Sequence, residues 1–125
     1  MQHYLEKPIE GKNTGKQAEI AAVTFLQKQG YEIIAKNFLC KGGEIDIIAL
    51  QKKQLVFIEV RFRKSTLFGG AAASVSRTKQ KKVILAAQFF LQSHNKYACC
   101  VCRFDVIALN AQTLQWIQHA FDAYS

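Results

Sequence analysis

Apolar residues recur along the chain with two periods, and the changes of period divide it into elements. After Asn13-Thr14, a pair suited to an N-cap, Ala18, Ala22, Val23, Phe25 and Leu26 fall on one helical face. The spacing predicts a helix to about Gln29, stopped by Gly30. Glu19 lies inside that apolar stripe, where a carboxylate needs a partner. From Tyr31 the period shortens to two. Tyr31 to Phe38, Glu44 to Leu50 and Leu55 to Arg63 read as strands, the last two joined as a hairpin by the polar link 51–54. Ser65 to Ser74, with Gly69-Gly70-Ala71-Ala72-Ala73, reads as a small-residue loop. A second helix is expected from about Ser76 to Ser93, burying Val83, Ile84, Ala87, Phe90 and Leu91. Ala98 to Leu109 is a long β-rich run, and Leu114 to Phe121 suits either a last strand or a short helix. The order is therefore α-β-β-β-α-β with a tail. A strand, a helical crossover and another strand give a parallel pair, so the expectation is an α/β fold with a mixed sheet flanked by helices. Residues 1–12, which hold the only proline, read as a flexible leader, and 13–125 as a single domain.

Alternation places chemistry on the hairpin. One face would carry Ile45, Ile47, Ala49, Val56, Ile58, Val60 and Phe62, all apolar. The other begins apolar near the turn, with Ile48, Leu50, Leu55 and Phe57, and ends with Glu44, Asp46, Glu59, Arg61 and Arg63. With Leu50 opposite Leu55, Asp46 falls opposite Glu59 and Glu44 opposite Arg61. Opposed side chains in an antiparallel pair have Cβ atoms roughly 5 Å apart. Two carboxylates that close need a positive group between them. A divalent metal such as Mg²⁺ or Mn²⁺ meets that need with hard oxygen ligands, and supports phosphodiester hydrolysis. A surface ion-pair network with Arg61 and Arg63 is the simpler alternative.

Length and charge narrow the classes. At 125 residues, half of them hydrophobic, the chain can bury one core, and no apolar run reaches the roughly 18–20 residues of a membrane span. The start is polar and mixed in charge, unlike a secretory signal, so the cytoplasm is the expected compartment. Lysine and arginine outnumber acidic residues 17 to 9, for a net charge of +8, which suits a phosphate backbone but also an acidic protein partner. Cys40, Cys99, Cys100 and Cys102 lack the spacing of a zinc site and are expected to be buried and reduced. His3, His94 and His119 are scattered and carry no catalytic assignment.

The run Gly43-Glu44-Ile45-Asp46-Ile47-Ile48 followed by Phe57-Ile58-Glu59-Val60-Arg61-Phe62-Arg63 resembles the YraN-like family of uncharacterised bacterial proteins. That family is in turn similar to the PD-(D/E)xK nucleases, which include Holliday-junction resolvases. The likeness runs from about Gly11, through Gly15, Glu19, Gly30-Tyr31, Asn37, Phe68-Gly69-Gly70 and Lys79-Gln80, to Arg103-Phe104-Asp105-Val106. It implies a restriction-endonuclease-like three-layer core, with Asp46 and Glu59 as metal ligands and Glu19 as the helix carboxylate that completes or orients the site. A helix carboxylate held by a neighbouring Arg or by backbone groups explains Glu19 as well. The superfamily usually has lysine two residues after the second carboxylate, and here that residue is Arg61. Arginine keeps the charge but is not a base near neutrality. Either the water is activated without that side chain, or the protein binds without cutting.

In the second helix Gln80 lies mid-stripe and either faces the polar end of the sheet or caps a backbone group, while Lys79 sits at the edge of the stripe. Arg63, Lys64, Arg77, Lys79, Lys81 and Lys82 are expected contacts for a nucleic-acid backbone, although a solvated basic face would look similar. Arg103 and Asp105 share a face of the penultimate run and read as an ion pair or, less simply, as a substrate contact. The expectation is a metal-dependent DNA endonuclease with Asp46, Glu59, Arg61, Glu19 and Gln80 at its centre. The alternatives are a DNA- or RNA-binding module of the same fold and an adaptor for an acidic protein. Cleavage of two strands would suit a symmetric homodimer.

Overall fold

The computed structural model describes residues 2–4, 14–63 and 75–123. In chain order these are strand β1 (Gln2–Tyr4), helix α1 (Thr14–Lys28), strands β2 (Glu32–Cys40), β3 (Gly43–Gln51) and β4 (Gln54–Phe62), helix α2 (Arg77–Ser93), and strands β5 (Val101–Leu109) and β6 (Thr113–Phe121). A 3-10 turn at Asn95–Tyr97 leads into β5. The strands form one sheet in the order β1-β6-β5-β4-β3-β2. Its neighbours are antiparallel except β4 and β5, which run parallel from Gln54↔Val101 to Phe62↔Leu109. Helix α2 lies in the connection between them, as a strand–helix–strand order requires. The mixed α/β sheet expected from periodicity is the observed one.

Each face of the sheet carries one helix. Ala18, Ala22 and Leu26 of α1 pack on Ile47, Ala49, Val56, Ile58 and Ile107. Val83, Ala86, Ala87 and Phe90 of α2 pack on Ile45, Ile48, Leu55, Phe57 and Val106 on the other side. Strands covered on both faces must be apolar at consecutive positions, which explains the buried Leu55-Val56-Phe57-Ile58 and Val106-Ile107-Ala108-Leu109 runs. The end of α1 follows the expected glycine stop. Gly30 takes φ +90°, and the Tyr31 amide donates to the Leu26 carbonyl at 3.0 Å, which satisfies a carbonyl left open at the helix end.

Helix α2 is fixed at its start by sequence chemistry. Ser76 is its N-cap and accepts from the Lys79 amide at 3.1 Å. Gly43 lets the helix backbone sit directly on β3. A Cβ at that position would lie 2.7 Å from the Lys82 carbonyl oxygen and 2.9 Å from the Ala86 nitrogen.

Of the two forms that suit Leu114–Phe121 the structure has the strand, with β6 pairing its apolar residues along β5 (Leu109↔Leu114, Ile107↔Trp116). Other expectations are corrected. Ala98 to Cys100 turn, and β5 begins only at Val101. Ile45 packs toward α2 while Ile47 packs toward α1. Strict alternation had put both on one face, so it breaks at Asp46. The four cysteines are free, but Cys99 and Cys102 are exposed and Cys40 and Cys100 half-buried. They sit in the turn before β5 and at strand ends, where Cys40 and Cys100 pack on the margin of the α2 core. Within the segment read as a leader, Gln2–Tyr4 pair with β6. Residues 5–13 and the loop with its flanking Lys64, residues 64–74, lie outside the described residues. No helix among the described residues is long and apolar enough to cross a membrane.

Candidate active site

The β3–β4 ladder holds the expected register from Gln51↔Gln54 to Ile47↔Ile58 and stops one step before Asp46 and Glu59. At that step β3 leaves the ladder. Instead of presenting its backbone, Asp46 turns its carboxylate across, and Oδ2 accepts from the Val60 amide at 2.8 Å. The side chains of Asp46 and Glu59 then meet through a hydrogen bond. The two acids are therefore together, held by a side chain that replaces a missing rung.

Glu59 lies on the central strand β4 with its side chain only 3% exposed. Burial, then the charge and hydrogen bond of Asp46, push its carboxyl up to about 8, against the weaker opposite pull of Lys79 and Arg61. Its Oε1 atom is buried and accepts no hydrogen bond. A buried carboxylate oxygen without a donor is costly, and it marks a position where a cation would be favourable.

Three further residues complete the cluster. Glu19, from α1, is raised above the ordinary carboxylate range by burial and then by the charge of Asp46, while a hydrogen bond with Asn37 and the charge of Lys36 work the other way. It lines a shallow pocket of about 180 Å³ with Lys16, Thr24, Lys36 and Asn37. Asp46, standing where the alternation breaks, thus faces Glu59 on one side and Glu19 on the other. Lys79, from the first turn of α2, ion-pairs with Glu44 and lies 3.7 Å from Glu59 Oε2. Burial lowers its pKa, but the hydrogen bond to Glu44 and the charges of Glu59, Glu44 and Asp46 outweigh that and leave it raised. The same hydrogen bond and charge hold Glu44 below its usual value.

The remaining expected site residues distribute as follows. Arg61 is at the rim, with its guanidinium 3.9 Å from Glu59 Oε2 and 40% exposed. Glu44, expected opposite Arg61, bonds Lys79 instead. Gln80 donates from Nε2 to the Val75 carbonyl at 3.0 Å, so it ties the start of α2 to the chain before it and does not face the carboxylates. Of its two expected roles, Gln80 therefore has the capping one, and it is Lys79, from the edge of the stripe, that reaches the carboxylates. Arg77, Lys81 and Lys82 are exposed on the first turns of α2, and Lys82 is close enough to Glu44 to act on its charge. Arg63 is half-buried where β4 ends, its amide bound to the Leu109 carbonyl at 2.7 Å.

The Arg103–Asp105 ion pair is present, with two contacts of 2.8 Å. Asp105 is fully buried and also accepts from Trp116 Nε1 and the His119 amide, both at 2.9 Å. Trp116 and His119 lie on β6, so Asp105 ties β5 to β6, while Arg103 also donates to the Tyr31 hydroxyl at 3.1 Å. A separate cavity of about 630 Å³, lined by Phe57, Ile84, Leu91, Phe104 and Phe121, contains none of the clustered acids. The acid pair sits where the β3–β4 ladder stops, with Glu59 buried and Glu19 lining the shallow pocket on the α1 side.

Among the described residues no group of three His, Cys, Asp or Glu gathers closely enough to enclose a metal ion. The donors that do converge are Asp46 and Glu59, with the orphaned Glu59 Oε1 beside them. All are hard oxygen atoms. Such a pair fits an open hard-cation site completed by water and substrate oxygens, in the manner of Mg²⁺.

Residues 18–109, which include every residue of this cluster, match the model of Uncharacterised protein family UPF0102. The chain belongs to this family. A UPF0102 protein of Saccharophagus degradans is 56% identical over 86% of the chain and 92% of its own length. UPF0102 proteins of Pseudomonas fluorescens and a Janthinobacterium species are each 46% identical, over 88% and 87% of the chain and 93% and 87% of their own lengths. The matches cover nearly the whole of these UPF0102 relatives. The relatives' names state a family and no activity, so the chemistry rests on the residues.

Proposed function

We propose that this protein is a divalent-metal-dependent DNA endonuclease, its mixed sheet and two covering helices forming a restriction-endonuclease-like core. The observation that carries this is the buried Glu59 beside Asp46, with a carboxylate oxygen left unpaired. Around this pair, Glu19 acts on Asp46 from α1, while Lys79, itself bonded to Glu44, and Arg61 lie 3.7 and 3.9 Å from Glu59 Oε2. Near neutral pH the balance is met by a proton on the Asp46–Glu59 pair. Mg²⁺ or Mn²⁺ displacing that proton would be held by Asp46 and Glu59, and would supply charge neutralisation at a phosphate and a more acidic water. The Val60 amide holds Asp46 in place, and Glu19 orients from the α1 side. Arg61 at the rim and the exposed Arg77, Lys81 and Lys82 are arranged to meet the phosphate backbone. Cleavage of both strands would call for a symmetric pair of chains.

A second reading, a DNA-binding protein of the same fold that does not cut, is favoured by one observation. Lys79 already places a cation against Glu59. The two are separated by incubating the protein with duplex, single-stranded, flap and four-way DNA in Mn²⁺, alongside Asp46→Ala. Turnover by the wild type, lost in the variant while salt-sensitive binding persists, is the expected result. Binding without any Mn²⁺-dependent turnover selects the second reading, and no salt-sensitive DNA affinity at all refutes both.

A further inference from the structure

We infer that Lys79 is the positive group that acts beside the two carboxylates, delivered from α2 rather than from strand β4, and that Glu44 aims it. This rests on the endonuclease reading and names a working part of that site. The strand itself offers Arg61, two residues after Glu59 and on the same face. Its guanidinium stays 3.9 Å from Glu59 at the rim, 40% exposed. Lys79 is better placed. It is only 22% exposed, bonds Glu44, and lies 3.7 Å from Glu59 Oε2.

The helix start is built to hold it there. Ser76 accepts from the Lys79 amide, Gln80 anchors on the Val75 carbonyl, and the absent side chain of Gly43 lets the helix backbone touch β3 near Lys82 and Ala86. A surface lysine gains hydration by extending into water, whereas this one reaches back across the helix–sheet junction to two acids. An ammonium is a compact charge with three donors. Glu44 takes one of them and Glu59 Oε2 lies 3.7 Å away, which leaves donors for an attacking water or a non-bridging phosphate oxygen. Glu44 is removed from the metal-holding pair by this bond and serves as the positioning residue.

The test uses the full chain and two readouts, Mn²⁺ affinity by calorimetry and Mn²⁺-dependent DNA cleavage. Lys79→Met is expected to lower cleavage about a hundredfold or more. Because a neighbouring positive charge is gone, Mn²⁺ should bind as tightly as before or up to about tenfold more tightly. Adding Arg61→Lys to Lys79→Met should restore at least about tenfold of the lost rate by supplying an ammonium from the strand, which a merely structural role for Lys79 would not allow. Glu44→Gln should fall between wild type and Lys79→Met. Cleavage by Lys79→Met within about threefold of wild type, while Asp46→Ala is inactive, overturns the inference and leaves the endonuclease reading standing. Loss of Mn²⁺ affinity in Lys79→Met as large as in Asp46→Ala also overturns it, since Lys79 would then only hold the cluster together. A wild-type protein that shows no Asp46-dependent Mn²⁺ binding removes the endonuclease reading and this inference with it.

Discussion

Replacing Asp46 by Asn should make the protein more stable in alkali while abolishing its metal affinity. The Asn carbonyl can still accept from the Val60 amide, so the local turn of β3 is kept. What disappears is the negative charge against Glu59, whose carboxyl is pushed from 4.5 to about 8 by burial first and by Asp46 second. In the unfolded chain Glu59 loses its proton near 4.5, and in the folded protein it keeps the proton until about 8. Between those values the folded state binds more protons, so stability is highest below 4.5 and falls as pH rises through 8. A displacement of that size corresponds to roughly 5 kcal/mol. Burial remains in the variant, and two unit charges ~4 Å apart at an effective dielectric of ~20 repel by about 4 kcal/mol before solvent weakens them. Asp46→Asn should therefore recover about 1–3 kcal/mol at pH 9 relative to its effect at pH 5. Urea unfolding at pH 5, 7 and 9 measures this, and the difference between pH values removes any constant structural cost. Mn²⁺ at a hundred times its Kd should raise wild-type stability by about 2.7 kcal/mol at pH 8 and leave Asp46→Asn unchanged. An Asp46→Asn effect that is equal at pH 5 and pH 9 would refute the argument that the two acids repel one another.

Gly43→Ala should destabilise the fold by about 1–3 kcal/mol in the same unfolding assay, because the new methyl meets backbone atoms of α2 that cannot step aside. It should also weaken cleavage by moving Lys79 away from Glu44. Asp105→Ala should cost about 3–5 kcal/mol, since it strands the Arg103 guanidinium and removes the acceptor of Trp116 and His119. Trp116 fluorescence during unfolding reports the latter directly, and a loss under about 1 kcal/mol would contradict the role given to this network.

Much of the fold was legible because it depends on period and local stops. The doublet pattern of β3 and β4, the link between them and the glycine after α1 each carry a local physical cause. The parallel pairing of β4 with β5 followed from the crossover rule alone. Other features depend on partners distant in the chain. Whether Leu114–Phe121 became strand was decided by the open edge of β5, which the segment itself does not record. The family likeness pointed to Asp46, Glu59 and Glu19, and alternation brought the first two together. Alternation failed at Asp46 because a carboxylate there takes over a backbone hydrogen bond, and the strand turns Ile45 to the other face. Which of Gln80 and Lys79 reaches the acids has a similar origin. A helical wheel gives the direction of Cβ, while the long lysine side chain bends back across the junction to the acids and the shorter Gln80 finds the nearest carbonyl. Cys99 and Cys102 are exposed because the chain turns before β5 and the strand starts only at Val101, a boundary that the apolar run does not mark.

The parallel pairing has a consequence for the order of assembly. The β2–β3–β4 meander needs only neighbouring segments, but β4 gains its other partner only when Val101–Leu109 has been made and returned to it. Until then one edge of β4 is open to solvent, and Glu59 can ionise like any surface carboxyl. Docking of β5 and α2 is what dries the acid pair, so the electrostatic penalty of Glu59 belongs to the closed fold and not to the β2–β3–β4 meander on its own.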